Sequence, residues 1–254
     1  MVDPAEAAGF KRAKEVIPLR GMRKVIAENM LRSLQISAQL TGSAEVDATE
    51  LIRLRESLVA QQEAIGARIT YADIFVMIVA KALKKNPIFN ASIVGDEIRL
   101  WDDINIGVAV AMELEETPGL VVPVVRNADK KTLVEIHNTI AELSKKAKER
   151  TLLPDDVAGS TFTITSTGGA GGGGIAEGGG SGFGTPIINQ PEVAILGLGG
   201  IVNKPVVRHG EIVIRPLLGL NLTTDHRVID GVPAGRFMGT VMQLMMNPYL
   251  LLAY

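Results

Sequence analysis

The chain has 254 residues, 46% of them apolar, with a formal net charge of −2 and no cysteine. That much apolar matter builds a sizeable core, in one large α/β domain or two small ones. The near-neutral balance lacks a lysine- or arginine-rich block and speaks against nucleic acid; the missing thiols exclude disulfides, thiolate metal sites and cysteine nucleophiles, and no metal site is expected. No apolar run reaches membrane-spanning length and the N-terminus lacks a signal-peptide core, so no membrane partner is expected and a reducing, prokaryotic cytoplasmic setting fits.

Residues 1–15 show little periodicity and read as a tail or linker remnant. From Arg20 the pattern is helical, with Met22, Ile26, Met30 and Leu34 in one apolar stripe. Residues 40–46 alternate weakly, as a strand does. Asp47 and Glu50 have capping-box spacing before a helix that turns Leu51, Leu54 and Leu58 inward and ends at Gly66. Thr70 is placed to cap a very apolar helix over 71–83, which Pro87 closes. A hairpin is expected around Gly95-Asp96. Residues 104–112 and 120–125 are apolar β runs without clean alternation, so their sheet is covered on both faces. Thr132 caps a helix carrying Leu133, Ile136, Ile140 and Leu143, with Pro154 beyond its end. Residues 161–166 form a threonine-rich strand.

Glycine fills 11 of the 17 positions from 168 to 184, and such a segment specifies no packed structure. Order resumes at Thr185-Pro-Ile-Ile-Asn189. A buried strand over 193–198 follows, then a hairpin with His209-Gly210 at its turn, a strand over 217–222 and a helix over 232–246. The last seven residues are too apolar to dangle in water and should dock on their own domain or another subunit. The mixture of hairpins and helices fits a two-layer α/β sandwich with a mixed β-sheet and helices mainly on one face.

One stretch concentrates chemistry: Asp225-His-Arg-Val-Ile-Asp-Gly231, on a strand-to-helix turn. His226 is the only histidine of three with two carboxylates and an arginine within four residues. Local composition alone favours a surface histidine in a charged turn.

The wider pattern is specific. Pro18-Leu-Arg-Gly-Met-Arg-Lys-Val-Ile-Ala27, Glu45-Val-Asp-Ala-Thr-Glu-Leu51, Asn105-Ile-Gly-Val-Ala109, Gly119-Leu-Val-Val-Pro-Val124, Thr161-Phe-Thr-Ile-Thr165, Thr185-Pro-Ile-Ile-Asn189, Pro191-Glu-Val-Ala-Ile-Leu-Gly197 and the His226 stretch occur in that order. Together they resemble the catalytic domain of the dihydrolipoamide acyltransferases, the core component of the 2-oxo acid dehydrogenase complexes, over residues 16–254. The resemblance implies a chloramphenicol acetyltransferase-like fold. It also implies acyl transfer between dihydrolipoamide and coenzyme A, with coenzyme A as a substrate. A thiol is mostly protonated at neutral pH and attacks poorly until a base takes its proton. The resemblance gives that task to His226. It assigns stabilisation of the tetrahedral oxyanion to the hydroxyl of Thr165, with Ser166 next in order. Asp230 is implied to hold the histidine turn through an ion pair, with Arg23 or Arg227 as partner. Arg55, Thr70, Ser166 and the backbone at Gly199 and Gly200 are implied contacts of coenzyme A; for Arg55 an exposed helix arginine is the competing reading. His137 and His209 read as solvated bystanders.

The family is also implied to form a homotrimer that assembles into a 24-mer or 60-mer cage. Its active site would lie between subunits, with the E1 and E3 components as partners. The family's lipoyl domain is not expected within these residues, so the resemblance implies an acyl group supplied from elsewhere. The connector from Thr165 to Pro186 is longer than the family pattern and resembles a glycine-serine linker, natural or engineered, close to the oxyanion site. Two rivals stand beside the enzyme. Residues 169–180 satisfy G-x-G-x-x-G, but no helix opens after them, which argues against a nucleotide-binding loop. A self-assembling cage scaffold with impaired or incidental catalysis is the other.

Overall fold

A computed structural model describes residues 14–113, 118–166 and 182–253; the N-terminal tail and most of the glycine-rich segment lie outside them. The elements in order are α1 (Gly21–Ile36), β1 (Gln39–Asp47), α2 (Thr49–Ala60), α3 (Gln62–Ile65), α4 (Tyr71–Lys85), β2 (Ala91–Val94), β3 (Glu97–Leu100), β4 (Ile106–Val108), β5 (Val110–Glu113), β6 (Pro118–Val121), β7 (Val124–Val125), α5 (Leu133–Glu149), α6 (Pro154–Val157), β8 (Phe162–Ser166), β9 (Ala194–Arg208), β10 (Glu211–Asp225) and α7 (Gly231–Met246). Six strands form a mixed sheet in the order β1-β10-β9-β8-β4-β7, with β8 parallel to both β4 and β9. Helices α2, α4, α5 and α7 pack together and on one face, giving the two-layer sandwich.

The best-formed helices start where their capping residues stand. Thr70 Oγ1 accepts from the Asp73 amide at 3.3 Å while Asp73 Oδ2 accepts from the Thr70 amide at 2.7 Å. Thr132 and Glu135 repeat the arrangement at the start of α5. At α2 the expected box does not close. Asp47 instead accepts from the amide and hydroxyl of Thr49, and Glu50 turns to Arg53 at 2.6 Å. Gly66, at φ 73°, ends the short α3 rather than α2.

Three sequence expectations change. The runs 104–112 and 120–125 each divide between the main sheet and a separate β5–β6 ribbon, because the chain leaves the sheet at Ala109 and returns at Val124. The four β runs between 193 and 222 are two continuous strands of 15 residues, β9 and β10. They are joined at His209 and Gly210, whose φ values of 53° and 85° suit a tight hairpin. The stripe on α1 does not reach this chain's core: Met22 and Leu34 are exposed, and Ser33 is the residue of α1 that is buried. The core lies between the sheet and the helices. At its centre Phe237 of α7 stacks on Phe89 at 4.3 Å and meets Phe162 of β8 at 5.5 Å, all three fully buried.

Candidate active site

His226 follows the last residue of β10, and its amide donates to the Ala38 carbonyl at 2.8 Å. The turn is locked by Asp225, which is 2% exposed. Its carboxylate accepts from the amides of Ala38 and Arg227 and from Nε and Nη2 of Arg227, the last at 2.6 Å. Burial pushes the Asp225 carboxyl up, but the hydrogen bonds from Arg227 and Ala38 outweigh it and hold it below the usual range. Arg227 is therefore the partner of Asp225, not of Asp230. It is already paired with the carboxylate two residues before it, whose buried position makes an unpaired charge costly. Asp230 is 82% exposed, and its Oδ1 lies 3.7 Å from His226 Nδ1. The carboxylate that holds the turn is Asp225; the one facing the ring is Asp230. The ring, 44% exposed, is open to a reactant.

Strand alternation sorts β8. Phe162, Ile164 and Ser166 face the helices, and Thr163 and Thr165 the other side. Thr163 donates to Glu192 at 2.8 Å, whereas Thr165 is half-buried. Thr165 pairs with Gly197, which pairs with Asn221 of β10. His226 is five residues beyond Asn221. Two strand spacings across and five residues along put Thr165 and His226 of one chain roughly 20 Å apart. The structure does not bring the two together within a subunit.

Thr70, Ser166 and Gly199 do come together. They line one cleft of about 320 Å³ between α4, α5 and the sheet. Gly200 is not among the lining residues, while Ile201 is. Arg55 sits at the cleft's edge, its guanidinium 4.9 Å over the ring of Tyr71, which lines the cleft. Its Nε is buried without a hydrogen-bond partner. A larger groove, about 830 Å³, runs along α1 and residues 150–157 and is lined by none of the assigned catalytic or coenzyme-binding residues.

Two clusters escape local sequence reading. Asp73 accepts His137 Nδ1 at 2.8 Å, so His137 is a cleft residue with a buried partner and not a solvated bystander. Glu192 is buried among Ser160, Thr163 and Asn189, and burial raises its carboxyl to about 7 despite their hydrogen bonds. The signals are long-range: 64 residues separate Asp73 from His137. Among the described residues no helix is long and apolar enough to cross a membrane.

A sequence model of the 2-oxoacid dehydrogenases acyltransferase (catalytic domain) matches residues 11–253. The lipoamide acyltransferase component of the branched-chain α-keto acid dehydrogenase complex of Bacillus subtilis is 41% identical over 244 residues, 95% of this chain and 54% of that protein. The chain thus spans about half the length of the curated relatives it matches. A solved structure of dihydrolipoamide acetyltransferase from Azotobacter vinelandii is 34% identical, with TM-score 0.87 and 99% of each chain covered. It is described as addressing the role of a serine, a histidine and an asparagine in catalysis, the last two four positions apart. The cubic core of the pyruvate dehydrogenase multienzyme complex is 32% identical, with TM-score 0.86 and 99% of each chain covered.

Proposed function

The chain belongs to the 2-oxoacid dehydrogenases acyltransferase (catalytic domain) family, and from that membership we propose that residues 16–254 form an acyltransferase moving an acyl group between dihydrolipoamide and coenzyme A. The observation that carries the reading is the His226 turn. A half-exposed imidazole stands at the end of a core strand, its backbone fixed by Ala38 and by the Asp225–Arg227 pair. Asp230, four residues on, occupies the spacing of the asparagine in the Azotobacter protein. With Asp230 toward Nδ1, the opposite ring nitrogen is the one to take the thiol proton.

The thiolate attacks the thioester carbonyl, and the negative charge moves to that oxygen. The hydroxyl of Thr165 donates to it, an interaction whose loss typically costs about 2.7–4 kcal/mol. As the intermediate collapses, the carbon–sulfur bond to the leaving thiolate breaks, and His226 returns the proton to that sulfur. Because Thr165 and His226 of one chain stand roughly 20 Å apart, base and donor of one site come from two copies. This supports a homotrimer with sites between subunits. The exposed apolar residues of α1, with Tyr249 at 69% and Leu252 at 89% exposed, supply surfaces for the trimer and for its growth into a 24- or 60-subunit cage, as similarity to a cubic core suggests. Lipoyl domains and the E1 and E3 components are the proposed partners. The cleft holding Thr70, Ser166 and Gly199, with Arg55 at its edge, is the proposed seat of coenzyme A.

The test is transfer from acetyl-, isobutyryl- and succinyl-coenzyme A to dihydrolipoamide, with the parent and with His226→Ala. A parent that turns over and a variant slower by about 10²–10⁴-fold support the reading. A parent inactive toward all three donors, yet sedimenting as a large particle, favours the scaffold instead.

A further inference from the structure

One wall of the coenzyme cleft carries a polar pair that the transfer chemistry does not use. His137, Ile140, Ala141, Ser144 and Lys148 all line the cleft. Their three- and four-residue spacing puts them on one face of α5, a wall about 16 Å long. Most of the opposing surface is apolar, built from residues such as Phe75, Val76, Ile164 and Leu198. Into it projects one imidazole whose position is fixed from behind. Asp73 is buried, and its Oδ2 is shared between the Thr70 amide at 2.7 Å and His137 Nδ1 at 2.8 Å. The capping box of α4 therefore anchors the carboxylate, and the carboxylate anchors the ring. With Nδ1 engaged, Nε2 is the polar atom left to the ring, whose side chain is 19% exposed. A polar nitrogen in a largely apolar cleft is costly to dehydrate unless the occupant offers it a partner, and such sparse, oriented polar groups are what fix a ligand in an apolar site.

We infer that His137, oriented by Asp73, hydrogen-bonds the pantetheine arm of coenzyme A in this cleft. The inference rests on the coenzyme A reading above. The arm suits the wall: it is an extended, mostly apolar chain interrupted by amides and a hydroxyl, so it calls for isolated polar contacts. His137 is then a ligand-binding residue, separate from the base His226 and on a different element.

Binding of coenzyme A itself is the readout, by calorimetry on the assembled protein. His137→Leu, which keeps volume and removes the nitrogen, should raise the Kd by about five- to tenfold, and His137→Gln should restore part of it. The KM for coenzyme A should rise in step while that for dihydrolipoamide does not. A measurement on the unaltered protein guards against a variant that fails to fold: carbethoxylation of histidines with diethyl pyrocarbonate, read by peptide mass spectrometry. Saturating coenzyme A should protect His137 and leave His209, in its hairpin turn, labelled as before. Equal labelling of His137 with and without coenzyme A, or an unchanged Kd in a folded His137→Leu protein, overturns the inference while leaving the acyltransferase reading intact. A parent that does not bind coenzyme A overturns both.

Discussion

Glu192 is a carboxyl with three hydrogen-bond donors on one oxygen and a buried second oxygen that has no hydrogen-bond partner. Burial raises it from 4.5 to about 7, so the folded chain holds a proton there that the unfolded chain releases near pH 4.5. Stability from this group is full below the lower value, falls as pH rises through the window and is level above about 7, a swing of about 3 kcal/mol. Glu192→Gln should flatten that window; chemical denaturation at pH 5 and pH 8 checks it, and an equal drop in parent and variant refutes it. His226 stood out because its charged neighbours lie within four positions. Which carboxylate Arg227 would take was not legible, since Asp225 and Asp230 are both in reach along the chain and only burial of the first decides it. His137 gave no local sign, its partner being on another helix.

At the level of elements, much was legible because local rules and tertiary packing agree. Thr70 and Thr132 announce their helices, and each closes a capping box. The apolar helix read at 71–83 is the centre of the helical layer, with Ile74, Phe75, Ile78 and Val79 buried. The strand breaks at 109 and 123 were not legible, because an apolar run does not reveal which of two sheets it joins. The α1 stripe was seen, but periodicity states only that a face is apolar, not which chain covers it. Phe237 ties the two layers through Phe89 and Phe162. Phe237→Ala should cost about 3–5 kcal/mol in urea unfolding; a loss below 1 kcal/mol would mean the layers are held elsewhere.

For the whole molecule, the proposal that base and donor come from two subunits predicts complementation. His226→Ala and Thr165→Ala preparations, each impaired alone, should regain activity when unfolded together and co-assembled. In randomly mixed closed rings about a quarter of the sites would receive both intact groups. No recovery, with mixed assembly proved by mass, would place base and donor in the same subunit.

The sheet register that sets Thr165 far from His226 would tie activity to assembly. On the proposed two-copy site, a newly made chain would complete its fold, present His226 and still be unable to consume thioesters, because the hydroxyl donor would come from a neighbour. Activity then reports encounter between subunits. On dilution, turnover per chain should fall steeply at the concentration where trimers part, while circular dichroism of the dissociated chains stays that of the folded protein.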